Sequence, residues 1–346
     1  MKASFLSHLA LFAICGVGWQ AATAQVTVGF DEPHNSLIIS VPDQAAALQI
    51  DLLHLQLKQN QFDDSITRRK VQASDTQGWV FSAFLYPREK NQTAAELREQ
   101  ALVGLRKAGT ENGFKIEAMK TFDRGDFAMR EYMIPEFHGQ PVHQKNVFGY
   151  AVSGDMGLDF HISKISYAAK DDNFFDSLIN GLHLLQDYKP DSATEFGYGS
   201  IFYLHRDWAR ASLHYERSLQ FEKQSRTLHQ TQWNVMVDNL GMAYGMSGDL
   251  SKAKAIFEYG TQENPTYPMF RYNLACADSE LGDLDAALGQ LKLAFQNKSH
   301  SNPGEGMPDP AKDDSFKRYL NDPRFAKLTK ELCPSSTRTE GGWECQ

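Results

Sequence analysis

The stretch Asp238–Pro265 reads DNLGMAYGMSGDLSKAKAIFEYGTQENP and decides the fold of the C-terminal half of the chain. Two apolar patterns of helical period flank a Gly248-Asp249 turn, and the proline ends the second pattern. Gly241 and Gly260 lie within these patterns, although glycine costs about 1 kcal/mol relative to alanine inside a helix. Small residues at such positions indicate two helices that approach closely, because a larger side chain would overpack their contact.

A helical pair of this kind occurs three times, in units 192–233, 234–267 and 268–298. The period is about 34 residues, and about eight extra residues lengthen the first unit. The Gly-Asp turn recurs at Gly282-Asp283, whereas the first unit has Arg206-Asp207 there. In the second unit, positions 7, 8, 11, 20, 24, 27 and 32 hold Leu240, Gly241, Tyr244, Ala253, Phe257, Gly260 and Pro265.

This signature resembles the tetratricopeptide repeat. It departs from the family at Val237, where a large aromatic residue is usual, and at Gly260, where alanine is usual. Asp278 is a further departure in the third unit. The resemblance implies an all-α superhelix whose concave surface, lined by the first helix of each pair, binds a partner protein or peptide.

The inward positions of the first helices supply the candidate binding residues. They include three methionines, a residue type that suits variable partners. The alternative that several of these side chains only pack against neighbouring helices stays open. The predicted partner-binding residues are Tyr203, Asp238, Met242, Met246, Met269 and Tyr272.

Residues 25–188 alternate between strand and helix patterns. Trp79–Tyr86 predicts a strand, and residues 93–108 predict an amphipathic helix that begins with a capping box. Strand patterns continue over 114–167, and a second helix pattern begins at Asp171. This order predicts an α+β domain, a curved antiparallel sheet with both helices packed against it. In element order and length the domain resembles the Mog1/PsbP-like fold group.

The first 24 residues are typical of a secretory signal peptide. Lys2 precedes an apolar segment, and Ala22-Thr23-Ala24 is a cleavage site that would leave Gln25 first. Cys15 leaves open the alternative of a lipid anchor. We therefore expect an exported protein, periplasmic or secreted, with no transmembrane segment in the mature chain.

The charge balance argues against a nucleic-acid partner. The chain has 35 Lys and Arg against 43 Asp and Glu, a formal net charge of −8. Nucleic-acid binders normally carry a basic patch that releases counterions from phosphates. The short run Arg68-Arg69-Lys70 is interpreted as a solvated strand end.

Residues 299–346 predict a linker, a capping helix and a C-terminal tail. In an exported protein, Cys333 and Cys345 would form a disulfide around this tail, where the intervening PSSTRTEGGWE is flexible. Cys276 lies in a helical pattern and is interpreted as a small buried residue.

No catalytic motif or cofactor fingerprint is found in the sequence. His138 and His143, with Glu136 nearby, are weak candidates for a metal site. The favoured function is therefore an exported, non-enzymatic protein that binds a protein or peptide and needs no cofactor. The alternative is a small-ligand, metal-binding or enzymatic N-terminal domain for which the repeats serve as a scaffold.

Overall fold

The computed structural model describes residues 28–339 and 342–345, so the predicted signal peptide at 1–24 lies outside the described residues. The chain divides between Pro190 and Asp191 into two compact units. Over their described residues, the N-terminal unit is mostly β-sheet and the C-terminal unit mostly α-helix.

The N-terminal unit contains two antiparallel sheets and two α-helices over its described residues. Its elements are β1 (Phe30–Asp31), β2 (Ser36–Ser40), β3 (Ala47–Asp51), β4 (Gln56–Phe62), β5 (Arg69–Ser74), β6 (Trp79–Pro87), α1 (Ala94–Glu111), β7 (Glu117–Arg124), β8 (Phe127–Phe137), β9 (Gln140–Ser153), β10 (Met156–Lys164), α2 (Asp172–Asn180) and β11 (His183–Leu185). One sheet has the strand order β1-β2-β3-β11, and the other has the order β4-β5-β6-β10-β9-β8-β7. The predicted α+β class is confirmed at this level.

The expected single curved sheet is corrected to two sheets that share one core. Leu37 of β2, Phe81 of β6 and Leu178 of α2 belong to the same buried hydrophobic cluster. Along β6, alternate side chains are buried, as the period of two along a strand requires. The small sheet is completed by β11, which pairs with β3 across more than half of the unit. Local periodicity carries no information on such a long-range pairing.

Arg69 links the two sheets and is not a solvated residue as the sequence suggested. Its side chain is buried, and Nη1 donates to the carbonyl oxygen of Ser40 on β2 at 3.0 Å. Nε donates to Oδ1 of Asn60 at 2.9 Å, and Nη2 donates to the carbonyl oxygen of Val28. A buried guanidinium needs such partners because each unmade hydrogen bond would cost free energy.

The C-terminal unit begins with three helix hairpins. The helices are α3 (Ser192–Leu204), α4 (Trp208–Gln224), α5 (Gln230–Met246), α6 (Leu250–Glu263), α7 (Pro268–Glu280) and α8 (Leu284–Gln296). Each helix contacts the next one along the chain, and the first helices α3, α5 and α7 also contact one another in series. The predicted all-α repeat region is confirmed.

The small residues of the signature lie where helices touch. A Cβ atom added to Gly241 on α5 would come within 2.4 Å of the Phe257 ring on α6. At Gly260 the same atom would come within 2.8 Å of Phe270. These contacts explain why glycine is kept inside a helix despite its cost.

The turns between paired helices share one design. Asp207, Asp249 and Asp283 each cap the second helix of a hairpin by accepting a backbone N–H hydrogen bond at its first turn. Gly248 precedes the second cap with a φ of 85°. Arg206 adopts the same left-handed region at 58° in the first hairpin, where glycine is absent.

The C-terminal region packs on the repeats, which corrects the expectation of a linker and a flexible tail. Short 3-10 turns at Pro310–Lys312 and Asp314–Tyr319 precede α9 (Pro323–Leu332) and a hairpin of β12 (Ser336–Thr339) and β13 (Gly342–Cys345). Met307 is buried, and its carbonyl oxygen accepts a hydrogen bond from the backbone N–H of Cys345 at 2.9 Å. Cys333 and Cys345 are joined by a disulfide bond.

Candidate functional site

A cavity of about 430 Å³ lies beside the second and third hairpins. We call it the α5–α7 cavity. It is lined by helices α5, α6 and α7 and by the four residues Lys312–Ser315 of the C-terminal region. Its volume falls within the range of roughly 300–1,000 Å³ that is usual for ligand pockets. The repeat helices and the C-terminal region together therefore enclose a space large enough for a ligand.

The apolar side of the cavity is formed by α5 and α6. Met242 and Met246 lie one turn apart on α5, and both line the cavity. Met246 is 40% exposed, so its flexible side chain is accessible from solvent. Phe257 of α6 lies deeper and is almost fully buried. This wall suits an apolar or aliphatic group.

Gly245 also lines the cavity, one residue before Met246 on α5. A Cβ atom added there would meet only the Cβ atom of Ala253, at 3.8 Å, which is an ordinary van der Waals contact. Helix packing therefore does not require glycine at this position, in contrast to Gly241. The missing side chain leaves space in the α5–α7 cavity.

The polar side of the cavity begins with Asn273 on α7. Its Nδ2 donates to Oδ1 of Asp238 on α5 at 2.8 Å. Burial raises the pKa of Asp238 to about 7, the hydrogen bond from Asn273 partly opposes this, and the negative charge of Glu305 adds to it. Asp238 is therefore a partly buried carboxyl group that is hydrogen-bonded to Asn273 of the lining.

The C-terminal region supplies the remaining wall and covers part of α7. Tyr272 Oη donates to Asp313 Oδ2 at 3.0 Å, and the Cys276 thiol lies 3.8 Å from the same oxygen. Ser279 Oγ donates to the carbonyl oxygen of Ser315 at 2.6 Å. Burial raises the pKa of Asp313, whereas its hydrogen bonds with Ser315, Tyr272 and Cys276 oppose that shift. The chain itself thus occupies a face of α7 that was expected to meet a partner.

The structure separates the six predicted binding residues into two groups. Met242 and Met246 line the cavity, and Asp238 lies behind it. Tyr203, Met269 and Tyr272 are buried, with 4%, 5% and 0% of their surface exposed. Tyr203 packs against the rings of Trp208 and Tyr215. These three side chains are thus not available to a partner in this structure, which corrects their assignment.

The sequence identified part of the cavity lining and missed the rest. Gly245 and Cys276 occupy inward repeat positions, so the repeat register could have found them. Asp313 and Asp314 lie beyond the repeats, in a segment without helical periodicity. No sequence signal indicated that this segment lies beside α5 and α7.

The two weak metal candidates lie apart from any cluster of ligands. His138 is at the turn between β8 and β9, and His143 is on β9, both exposed. Over residues 28–339 and 342–345, the single group of three candidate metal-ligating side chains is Asp309, Cys333 and Cys345. Two members of that group are the disulfide cysteines.

No family model matches this chain, and no curated protein matches it either. Solved structures with some similarity include PcrH from Pseudomonas aeruginosa, which is 16% identical over 41% of this chain and 90% of that chain, with a TM-score of 0.29. The Sgt2 TPR domain from Aspergillus fumigatus is 18% identical over 41% and 82%, with a TM-score of 0.30. YrrB, a TPR protein with an unusual peptide-binding site, is 14% identical over 42% and 70%, with a TM-score of 0.30. Similarities of this size carry no argument about the function of this chain.

Within the described part of the chain, none of the helices has the length and apolar character needed to span a membrane.

Proposed function

We propose that this chain is an exported, non-enzymatic protein that binds an extended segment of a partner protein through the concave surface of its tetratricopeptide-type repeats. The observation that carries the proposal is the α5–α7 cavity, whose lining includes two of the residues predicted to bind a partner, Met242 and Met246. Met242 and Met246 give it an adaptable apolar wall. Asn273 adds a polar group that would orient a bound segment.

The packing of the repeats supports a binding role for this cavity. Gly241 is required by helix contact, but Gly245 is not, and it leaves a space that a larger residue could fill. The bound side chain would occupy the space that Gly245 leaves.

Export rests on the predicted signal peptide and agrees with the Cys333–Cys345 disulfide, because such bonds persist in oxidising compartments. Expression of the full chain in a bacterial host tests this part of the proposal. We expect the extracytoplasmic fraction to contain a protein that begins at Gln25. Recovery of the uncleaved chain in the cytoplasm alone would contradict export.

The binding role is tested with a phage-displayed library of random peptides, selected on the mature chain from Gln25. We expect enriched peptides that compete with one another for one site. Gly245→Leu fills the cavity and should abolish their binding. Gly289→Leu on α8 is the matched control, because Gly289 also has open space at its Cβ position but lies outside the cavity.

Both variants replace a helical glycine by leucine, at Gly245 in the last turn of α5 and at Gly289 in the middle of α8, so both are expected to retain their helices. Circular dichroism should show the same helix content in both. If no peptide is enriched, or if Gly245→Leu binds the selected peptides as well as Gly289→Leu does, the proposed function is wrong.

A further inference from the structure

We propose that the α5–α7 cavity receives the long cationic side chain of a lysine or arginine from the partner segment. This inference rests on the proposed function and specifies the chemistry of the partner. A cavity lined by both apolar side chains and carboxyl groups fits a side chain whose methylene stem is apolar and whose end is positively charged. The charges and the apolar wall of the cavity carry the argument.

The charged residues of the lining are mostly acidic. Glu280 on α7 and Asp313 and Asp314 of the C-terminal region line the cavity, against a single basic residue, Lys312. Lys312 is directed elsewhere, because its Nζ lies 5.5 Å from the centroid of the Trp343 ring. The cavity therefore contains an excess of carboxyl groups over cations.

The carboxyl groups of the lining differ in whether they already have a cationic partner. Glu280 lies 3.4 Å from Arg318, and both side chains are substantially exposed, so this pair contributes little free energy. Asp314 is exposed and, among residues of the described ranges, has no salt-bridge partner. A ligand cation could therefore pair with Asp314 without displacing a resident cation.

Two partly buried carboxyl groups provide a second argument. Asp313 and Asp238 are bound by hydrogen-bond donors that are neutral, namely Tyr272 and Asn273. Burial raises the pKa of both carboxyl groups, because desolvation disfavours the ionised form. A ligand cation beside Asp313, which lines the cavity, would favour the ionised form of that carboxyl group and would be attracted to it.

The apolar wall matches the stem of the same side chain. Met242, Met246 and Phe257 lie along the cavity, and Gly245 leaves room between the methionines. Lysine and arginine bury their methylene groups on apolar surface while the charged end remains near polar groups. A short acidic side chain would instead be repelled by the carboxylates of the lining.

The inference is tested on the peptides that the random library yields with the mature chain. We expect one shared position that is occupied by lysine or arginine. Replacing that residue by norleucine, which keeps the stem and removes the charge, should weaken binding by about tenfold, as a charge-assisted hydrogen bond would predict. The double variant Glu280→Gln/Asp314→Asn should weaken binding of the cationic peptide to a similar extent and leave the norleucine peptide unaffected.

Glu263→Gln is the matched control for a general loss of negative charge. Glu263 pairs with Arg226 at 3.4 Å with similar exposure, but it does not line the cavity. Binding of the cationic peptide should be unchanged in this variant. The inference would be overturned if the selected peptides share an apolar anchor but no lysine or arginine, and if Gly245→Leu fails to bind them. The proposed function would then remain intact. A library without any enriched peptide would instead overturn the proposed function itself.

Discussion

The phenol oxygen of Tyr272 on α7 donates a hydrogen bond to Oδ2 of Asp313, at 3.0 Å. This contact joins the third repeat to the C-terminal region that follows it. Phe316 extends the same interface, since its ring lies 6.2 Å from that of Tyr272. The inner face of α7 is therefore part of the protein's own core, and the accessible part of the groove lies towards α5.

Tyr272→Phe should lower the free energy of unfolding by about 1–2 kcal/mol, because it leaves the buried Asp313 carboxyl with one donor fewer. Urea unfolding followed by circular dichroism measures this change. Tyr259→Phe is the control, since the Tyr259 hydroxyl makes no hydrogen bond among residues 28–339 and 342–345. Equal midpoints for the two variants would show that the Tyr272 contact contributes nothing to stability.

Gly241→Ala and Gly245→Ala should have opposite effects, although the residues are one helical turn apart. The first places a methyl group within 2.4 Å of Phe257 and should destabilise the protein by about 1–3 kcal/mol. The second meets only Ala253 at 3.8 Å and should stabilise the helix by about 0.5–1 kcal/mol. Thermal unfolding of the two variants checks the sign. A loss of stability in Gly245→Ala would mean that packing, and not the cavity, requires this glycine.

Asp238→Asn should be more stable than the wild type at alkaline pH, and the difference should shrink in acid. The folded-state pKa is about 7, above the ordinary value of 3.8, so the folded chain holds a proton that the unfolded chain releases. The contribution of Asp238 to wild-type stability therefore falls as pH rises from about 4 to about 7 and then levels off. Asparagine lacks this titration and still accepts the hydrogen bond from Asn273.

Urea unfolding of both proteins at about pH 5 and about pH 8 tests the prediction for Asp238. The stability gap should widen by up to about 3 kcal/mol between these conditions, at about 1.4 kcal/mol for each pKa unit. A gap that does not change with pH would show that Asp238 has an ordinary pKa. Other groups that titrate in this range cancel in the comparison.

Removing the disulfide should loosen the C-terminal region locally. Strand β13 is hydrogen-bonded to Met307 and Asp309, and the disulfide holds this strand in place covalently. The double variant Cys333→Ser/Cys345→Ser removes that covalent link. A bridge across a separation of 12 residues constrains the unfolded chain by about 3 kcal/mol. Amide exchange should rise at Asp309 and at position 345, whose N–H groups donate these hydrogen bonds, and stay unchanged in α5.

Mass spectrometry of the oxidised mature protein provides an independent check of the same bond. Cys276 is the one free cysteine among the described residues, so one thiol should react with an alkylating reagent. Two additional reactive thiols would show that Cys333 and Cys345 are not paired. Unchanged exchange at Asp309 in the double variant would contradict the local role of the disulfide.

The repeat region was predictable because its determinants are local. Gly241 and Phe257 lie within one repeat unit. Because Gly241 has no side chain, α6 with its Phe257 ring can approach α5 closely. Each turn is specified by neighbouring residues, such as Gly248 with its positive φ and Asp249 with its capping carboxylate. The N-terminal unit was predicted only in class, because the pairing of β3 with β11 depends on residues far apart in the chain. Its resemblance to the Mog1/PsbP-like fold group stays a prediction.

The sequence by itself determined the repeat, its turns and the inward register that includes Met242, Gly245 and Cys276. Only the tertiary structure decided which of the inward residues remain accessible. The reason is physical: the segment around Asp313 has no helical period, and it is held against α7 by contacts with Tyr272 and Ser279 that local patterns do not encode. That packing buries Tyr272, completes the α5–α7 cavity and places carboxyl groups beside its methionines.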